Sequence, residues 1–103
     1  MKLGLIGCGK MGKALTIGAI DAGAVAAPDV TVFDVVTAAI DSLAAERAIN
    51  SVTSVTEVAT EADVVLLAVK PHDVPSALQE IRDSGSKMED LLVISVAAGL
   101  TVA

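Results

Sequence analysis

Residues 3–12, Leu-Gly-Leu-Ile-Gly-Cys-Gly-Lys-Met-Gly, set the expected architecture of this chain. Their first four residues are typical of a short buried strand. The turn that follows has the pattern Gly-x-Gly-x-x-Gly, with glycines at Gly7, Gly9 and Gly12, and it opens a helical stretch that reaches Gly23. A strand, a tight turn and a helix in this order predict the first unit of a parallel α/β sheet.

Each glycine of this turn has its own physical reason. Gly7 can adopt the backbone angles of a sharp turn that a Cβ atom would forbid. Gly9 leaves room for a pyrophosphate to approach the main chain, and Gly12 lets the helix pack closely on the strand. The free N–H groups at the helix start and the positive end of the helix dipole form an anion site. The sequence therefore predicts a dinucleotide-binding turn.

The composition limits the class of protein. The chain of 103 residues is long enough for one domain with a core, and 53% hydrophobic against 19% charged residues excludes a disordered chain. The net charge of −6 argues against nucleic acid and anionic membranes as partners. No uncharged run is long enough for a membrane span, and the N-terminus resembles no signal or transit peptide. Because Cys8 is the single cysteine, no internal disulfide can form, and a reducing cytoplasm is the expected location.

Alternating apolar strands and helical periodicities continue along the chain. The predicted strands are residues 2–6, 30–33, 51–53, 64–69 and 91–96, and the predicted helices are residues 10–22, 36–48, 55–62 and 75–83. This alternation predicts right-handed crossovers and a Rossmann-type doubly wound parallel sheet in the order 3-2-1-4-5, with helices on both faces.

Two features of the first predicted helix follow from its spacing. Gly23 is expected to end the helix as a C-terminal cap. The residues near one face of the helix are Met11, Leu15, Gly18, Ala19 and Ala22.

Ligands of this fold bind outside the carboxyl ends of the strands, where the strand order reverses. Asp34 follows the second predicted strand and lies 22 residues beyond Gly12, close to the spacing at which an acidic residue reaches the adenosine ribose. A carboxylate there accepts hydrogen bonds from both ribose hydroxyls and repels a 2′-phosphate, so NAD is favoured over NADP. The alternative is that Asp34 only caps the second helix.

Three further residues have alternative interpretations. Lys70, followed by Pro71, either extends its charge to water or lines a nicotinamide pocket with its aliphatic stem. Cys8 is either a small buried filler or a redox-sensitive thiol at the helix start. His72, the single histidine, has no partner visible in the sequence. No spacing of Cys and His indicates a metal site, and no catalytic residue can be assigned.

The sequence resembles the N-terminal domain of the pyrroline-5-carboxylate reductases. The resemblance rests on residues 1–12, 62–71 and 93–99. The Ala-Val-Lys-Pro segment at 68–71 and the Ala-Ala-Gly segment at 97–99 are more specific than the glycine turn. Members of this family reduce 1-pyrroline-5-carboxylate to L-proline with NAD(P)H.

The resemblance implies roles for particular residues. The pyrophosphate would be held by Ile6, Gly7, Gly9, Lys10 and Met11, and the nicotinamide ribose and ring would be bordered by Ala68, Val69, Lys70, Pro71 and Ala97. It also implies that residues 1–103 are the dinucleotide-binding domain of a longer enzyme. A helical C-terminal domain would supply the pocket for the cyclic imine carboxylate and a homo-oligomer interface, so the domain alone should show little turnover.

Two other classes remain open from the sequence. The β-hydroxyacid dehydrogenases have a similar glycine turn with Met at the same place, but do not typically have Ala-Val-Lys-Pro after the fourth strand. A module that senses NAD(H) and regulates a partner would use the same turn without catalysis.

Overall fold

The computed structural model describes residues 1–84 and 92–95, which follow the predicted alternation of strands and helices. The strands are β1 (Leu3–Ile6), β2 (Val30–Phe33), β3 (Asn50–Ser51), β4 (Val64–Leu67) and β5 (Leu92–Ser95). The helices are α1 (Lys10–Asp21), α2 (Thr37–Glu46), α3 (Val55–Glu61) and α4 (Val74–Asp83). Short 3₁₀ turns at Ala27–Asp29 and Pro71–Asp73, which the sequence did not predict, precede β2 and α4.

The strands form one parallel sheet in the order β3-β2-β1-β4-β5, which confirms the predicted Rossmann-type topology. The central strand β1 pairs with both neighbours in register, so that Leu3 lies opposite Val30 on one side and Val64 on the other. The carboxyl ends of β1, β2 and β4 therefore meet at one edge of the sheet, which is the edge where ligands of this fold bind.

The helices cover both faces of the sheet, since two separate cores are present. One core combines Leu3 and Leu5 of β1 with Ile40 and Leu43 of α2. The other core combines Ile6 with residues of α3 and α4. Successive side chains of a strand point to opposite faces, so a strand buried on both faces supplies both cores.

Gly4 has a packing role that the sequence did not reveal. A Cβ atom at this position would lie 2.5 Å from Cγ1 of Val58 and 3.0 Å from Cβ of Ala62. Helix α3 thus crosses β1 at a distance that only glycine permits without a shift of the neighbours. Gly4 therefore stands in β1 where α3 leaves no room for a side chain.

Besides shifts of one residue at one end of β1, α1, α3 and α4, three elements have boundaries that differ from the prediction. Strand β4 ends at Leu67 rather than at residue 69, because its neighbour β1 ends at Ile6 and the last bond across this edge is donated by the Ala68 N–H to the Ile6 carbonyl at 2.8 Å. Strand β3 covers Asn50–Ser51 rather than residues 51–53. Helix α2 is shorter at both ends than the predicted 36–48. The predicted ends of the fifth strand, residues 91 and 96, lie outside the described residues.

Helix α1 buries a small and a polar residue most deeply, while its Ile17, Ala19 and Ile20 pack half-buried against the first core. Gly12 and Thr16 are its buried residues, whereas Met11 is 48% exposed and Leu15 is 45% exposed. The predicted face of Met11, Leu15, Gly18, Ala19 and Ala22 is therefore mostly directed away from the core, with only Ala19 half-buried. Gly23 ends the helix with a φ of +78°, which confirms its role as the C-terminal cap.

Thr16 offers a test of this packing. Its hydroxyl is fully buried and, among the described residues, has no hydrogen-bond partner. A buried unpaired hydroxyl costs about 1–3 kcal/mol, and Val has nearly the same shape. Thr16→Val should therefore raise the free energy of unfolding by about 1 kcal/mol, measured by urea denaturation. Thr56→Val, at an exposed position of α3, is the control and should change it by less than about 0.5 kcal/mol. A loss of stability in Thr16→Val would show that the hydroxyl has a partner.

No helix in residues 1–84 and 92–95 combines the length and the apolar character needed to cross a membrane.

Candidate dinucleotide site

Gly7 is fixed where three strands meet. Its amide donates to the Phe33 carbonyl at 2.9 Å, while the Ala68 amide donates to the Ile6 carbonyl at 2.8 Å. Gly7 has a φ of +90°, and a Cβ atom there would lie 2.6 Å from the Ala68 carbonyl oxygen. Both the backbone conformation and the contact exclude a side chain. The glycine is therefore required for the chain to leave β1 between β2 and β4.

Gly12 and Gly9 are needed for opposite reasons. A Cβ atom on Gly12 would lie 2.7 Å from the Gly7 carbonyl oxygen and 2.9 Å from Cβ of Ala68, so this glycine lets α1 rest on the turn. A Cβ atom on Gly9 would meet no atom within 4 Å. Gly9 is also the N-cap of α1, and no side chain caps the helix there. Because the first amides of a helix have no intrahelical acceptor, the open space at Gly9 fits an approaching diphosphate.

Asp34 ties the end of β2 to the glycine turn. Its Oδ2 accepts a hydrogen bond from the Cys8 amide at 2.6 Å, and its Oδ1 accepts one from the Val36 amide at 2.9 Å. The N-cap of α2 is Val36, and that helix has no side-chain cap. The interpretation of Asp34 as a mere cap of the second helix is therefore wrong. The two amides hold the carboxylate in one orientation and leave each oxygen a further lone pair for a ligand hydroxyl.

Two cavities lie on either side of the turn. The first, which we name the Asp34 cavity, has a volume of about 320 Å³. Its lining residues are Ile6, Gly7, Phe33, Asp34, Val35, Val55, Val69, Asp73, Ser76, Ala77 and Glu80. The sequence reasoning missed the α4 members of this set. The spacing of one and three residues places Ser76, Ala77 and Glu80 on one face of α4, with Asp73 at its N-cap, but no local pattern shows that this face meets the end of β2.

The second cavity, which we name the α1 cavity, lies beside the first turn of that helix and has a volume of about 600 Å³. Its lining residues are Gly9, Lys10, Met11, Gly12, Ala14, Leu15 and Ala68. The exposed Met11 and Leu15 belong to this wall, which explains why the helix presents apolar side chains away from the core. The arrangement combines an apolar surface with one cation next to the open helix terminus.

The predicted nicotinamide border is divided between these cavities. Ala68 lines the α1 cavity, whereas Val69 lines the Asp34 cavity instead. Lys70 and Pro71 are both exposed and are not among the residues that line either cavity. The chain turns outward here because the 3₁₀ turn Pro71–Asp73 begins immediately after Lys70. Ala97 lies outside the described residues.

Cys8 has the surroundings of a structural rather than a reactive group, and His72 lies at the surface. Cys8 is 4% exposed, and burial, then the negative charge of Asp34, raises the pKa of its thiol against a smaller opposing effect of Lys13. A raised pKa disfavours the thiolate, which is the reactive form, so the geometry supports a buried filler. His72 is exposed, with its Nε2 3.5 Å from Oδ2 of Asp73. Within residues 1–84 and 92–95, no group of three or more His, Cys, Asp or Glu side chains is arranged to hold a metal.

Comparisons with known proteins agree with this geometry. The profile of the family described as NADP oxidoreductase coenzyme F420-dependent matches residues 2–99. The pyrroline-5-carboxylate reductase of Escherichia coli is 41% identical over 101 residues, covering 98% of this chain and 37% of that protein. The chain thus spans little more than a third of the length of this curated relative.

Solved structures give the same result. The structure of a pyrroline-5-carboxylate reductase from Coxiella burnetii is similar with a TM-score of 0.83 and 30% identity, covering 97% of this chain and 36% of that one. The pyrroline carboxylate reductase of Plasmodium falciparum, crystallised with NADP bound, is similar with a TM-score of 0.72 and 27% identity, covering 99% of this chain and 35% of that one. These similarities confirm the resemblance read from the sequence motifs.

Proposed function

We infer the function of this chain from the family to which it belongs, NADP oxidoreductase coenzyme F420-dependent: it is the dinucleotide-binding domain of a pyrroline-5-carboxylate reductase. The observation that carries this proposal is the glycine turn, where the space at Gly9 is open while Gly7 and Gly12 are closed by contacts. The similarity of the E. coli enzyme over 98% of the chain supports the choice of reductase.

The proposed reaction of the whole enzyme is the reduction of 1-pyrroline-5-carboxylate to L-proline. Bound NAD(P)H would supply a hydride to the carbon of the ring C=N bond, and the nitrogen would take up a proton. The residues of this chain would bind the cofactor and orient it. The first amides of α1 and the charge of Lys10 would hold the diphosphate, and Met11, Leu15 and Ala68 would keep water from the nicotinamide side.

We propose NAD(H) as the preferred cofactor, on the evidence of Asp34. Its carboxylate is held by the Cys8 and Val36 amides at 2.6 and 2.9 Å and lines the Asp34 cavity. An oriented carboxylate can accept hydrogen bonds from two ribose hydroxyls, whereas the 2′-phosphate of NADP would bring a second negative charge next to the carboxylate. The Asp34 cavity is accordingly assigned to the adenosine end of the cofactor and the α1 cavity to the nicotinamide end.

The remaining parts of the proposal concern the larger protein. We propose that residues 1–103 are its first domain and that a following helical domain supplies the pocket for the cyclic imine carboxylate and a homo-oligomer interface. The coverage of about 37% of the E. coli relative supports this. The single cysteine, which is buried and cannot form an internal disulfide, supports a reducing, cytoplasmic location.

Titration of the chain with NADH, followed by nicotinamide fluorescence, tests the cofactor role. The chain contains no Trp or Tyr, so protein emission does not interfere. We expect saturable binding with little NADH oxidation after 1-pyrroline-5-carboxylate is added. Absence of binding by both NADH and NADPH would refute the cofactor role.

A chimeric enzyme distinguishes a reductase from a sensor. In this chimera the chain replaces the matching 101 residues of the E. coli enzyme. We expect this chimera to oxidise NADH only when 1-pyrroline-5-carboxylate is present. A chimera that folds and binds NADH with the affinity of the isolated chain but does not oxidise it would contradict the reductase assignment.

A further inference from the structure

The Asp34 cavity contains more negative charge than Asp34 alone provides. Besides Asp34, two carboxylates of the α4 segment line it, Asp73 and Glu80. Among the described residues that line this cavity, no Lys or Arg is present. Together these three carboxylates give the described part of the cavity wall a negative potential.

The position of Glu80 follows from the packing of α4. Ser76, Ala77 and Glu80 lie on one face of α4, and Asp73 is at its N-cap. Ala77 is buried in the second core as well as lining the cavity. The neighbouring Ile81 is 0% exposed. These two buried residues fix the rotation of α4, so that Glu80 is held at the cavity one turn beyond Ser76.

Asp73 and Glu80 do not contribute equally. His72 lies next to Asp73, with 3.5 Å between Nε2 and Oδ2, and a protonated imidazole would offset that carboxylate. Asp73 also occupies the N-cap of α4, where a negative charge interacts favourably with the helix dipole. Glu80 has neither function, and a cationic partner for its side chain does not occur in the described part of the cavity wall.

We propose that Glu80, supported by Asp73, is a specificity-determining residue that disfavours NADPH by repelling its 2′-phosphate. The inference rests on the proposed function, since it takes the Asp34 cavity as the adenosine site. A phosphate monoester carries a charge of about −1.5 to −2 at pH 7, and NADH has only a hydroxyl at this position. Across several ångströms of solvated space, one carboxylate then changes the affinity for NADPH by about fivefold and leaves that for NADH nearly unchanged.

The test compares Glu80→Gln with Asp29→Asn in titrations of the chain with NADH and NADPH. Asp29 is exposed and immediately precedes β2, at the opposite edge of the sheet from Asp34, so the control removes the same charge far from the cavity. We expect Glu80→Gln to tighten NADPH binding about fivefold at low salt, with NADH binding changed by less than about twofold. The gain should shrink at about 1 M salt, because repulsion between exposed charges is screened.

The outcomes separate the inference from its premise. An unchanged NADPH to NADH ratio in Glu80→Gln, with both nucleotides still bound, would overturn the role of Glu80 and leave the proposed function standing. An equal change of the ratio in Asp29→Asn would also overturn it, since the effect would then come from net charge alone. Failure of the unsubstituted chain to bind either nucleotide would overturn the proposed function and the inference with it.

Discussion

Replacement of Gly9 by Val is expected to weaken the binding of NADH and NADPH by at least about thirtyfold without unfolding the chain. The Cβ position of Gly9 has no neighbour within 4 Å, and its φ of −73° and ψ of −175° are open to any residue. The new side chain would fill the space that a diphosphate needs to approach the first amides of α1. Loss of one or two charge-assisted hydrogen bonds, each about 1.5–3 kcal/mol, accounts for the expected factor.

Gly18→Val is the matched control for this substitution. Gly18 also lies on α1 and its Cβ position likewise has no neighbour within 4 Å, but it does not line the α1 cavity. The free energy of unfolding of both variants, measured by thermal circular dichroism, should lie within about 1 kcal/mol of that of the unsubstituted chain, since neither substitution adds a clash. Only Gly9→Val should lose the change in nicotinamide fluorescence that reports binding. Retained binding in Gly9→Val would place the diphosphate elsewhere than at the turn.

Local patterns suffice to predict most of this fold. The β-branched run at Val30–Phe33 and the apolar run at Val64–Leu67 form strands as expected, because each is buried in a sheet covered on both faces. What the pattern cannot show is where pairing stops. Ala68 and Val69 continue the apolar run, yet they leave the ladder because β1 has already turned away at Gly7. Strand ends are thus set by a neighbour that is distant in sequence.

The same distinction holds for the candidate site. The role of Gly7 follows from its sequence context and is visible in its positive φ, since the motif encodes the local backbone. The apolar residues of α1 mislead, because Met11 and Leu15 line a cavity while Thr16 is buried. Glu80 is invisible to a motif search, since only the packing of α4 on the sheet brings it to the Asp34 cavity. Residues that act through tertiary placement have no local signature.

Asp34→Ser is expected to reverse the cofactor preference, with NADH binding weakened about tenfold and NADPH binding strengthened. Serine removes the charge that opposes a 2′-phosphate and the acceptor for one ribose hydroxyl, and a charge-assisted hydrogen bond contributes about 1.5–3 kcal/mol. The ratio of the two dissociation constants, from parallel fluorescence titrations at low salt, measures the change. The effect should exceed that of Glu80→Gln, because Asp34 would contact the ribose directly.

Asp34 also holds the Cys8 and Val36 amides, so a purely structural effect must be separated from a ribose contact. Asp34→Asn keeps an oxygen acceptor of the same shape for one of these amides while it removes the charge. If the carboxylate contacts the ribose, both variants shift the ratio towards NADPH. If it only positions the turn, loss of the two amide bonds would weaken NADH and NADPH by the same factor, and Asp34→Asn would be the milder change. A common factor for both nucleotides would therefore refute the ribose assignment, because a misplaced turn affects the diphosphate that the two cofactors share.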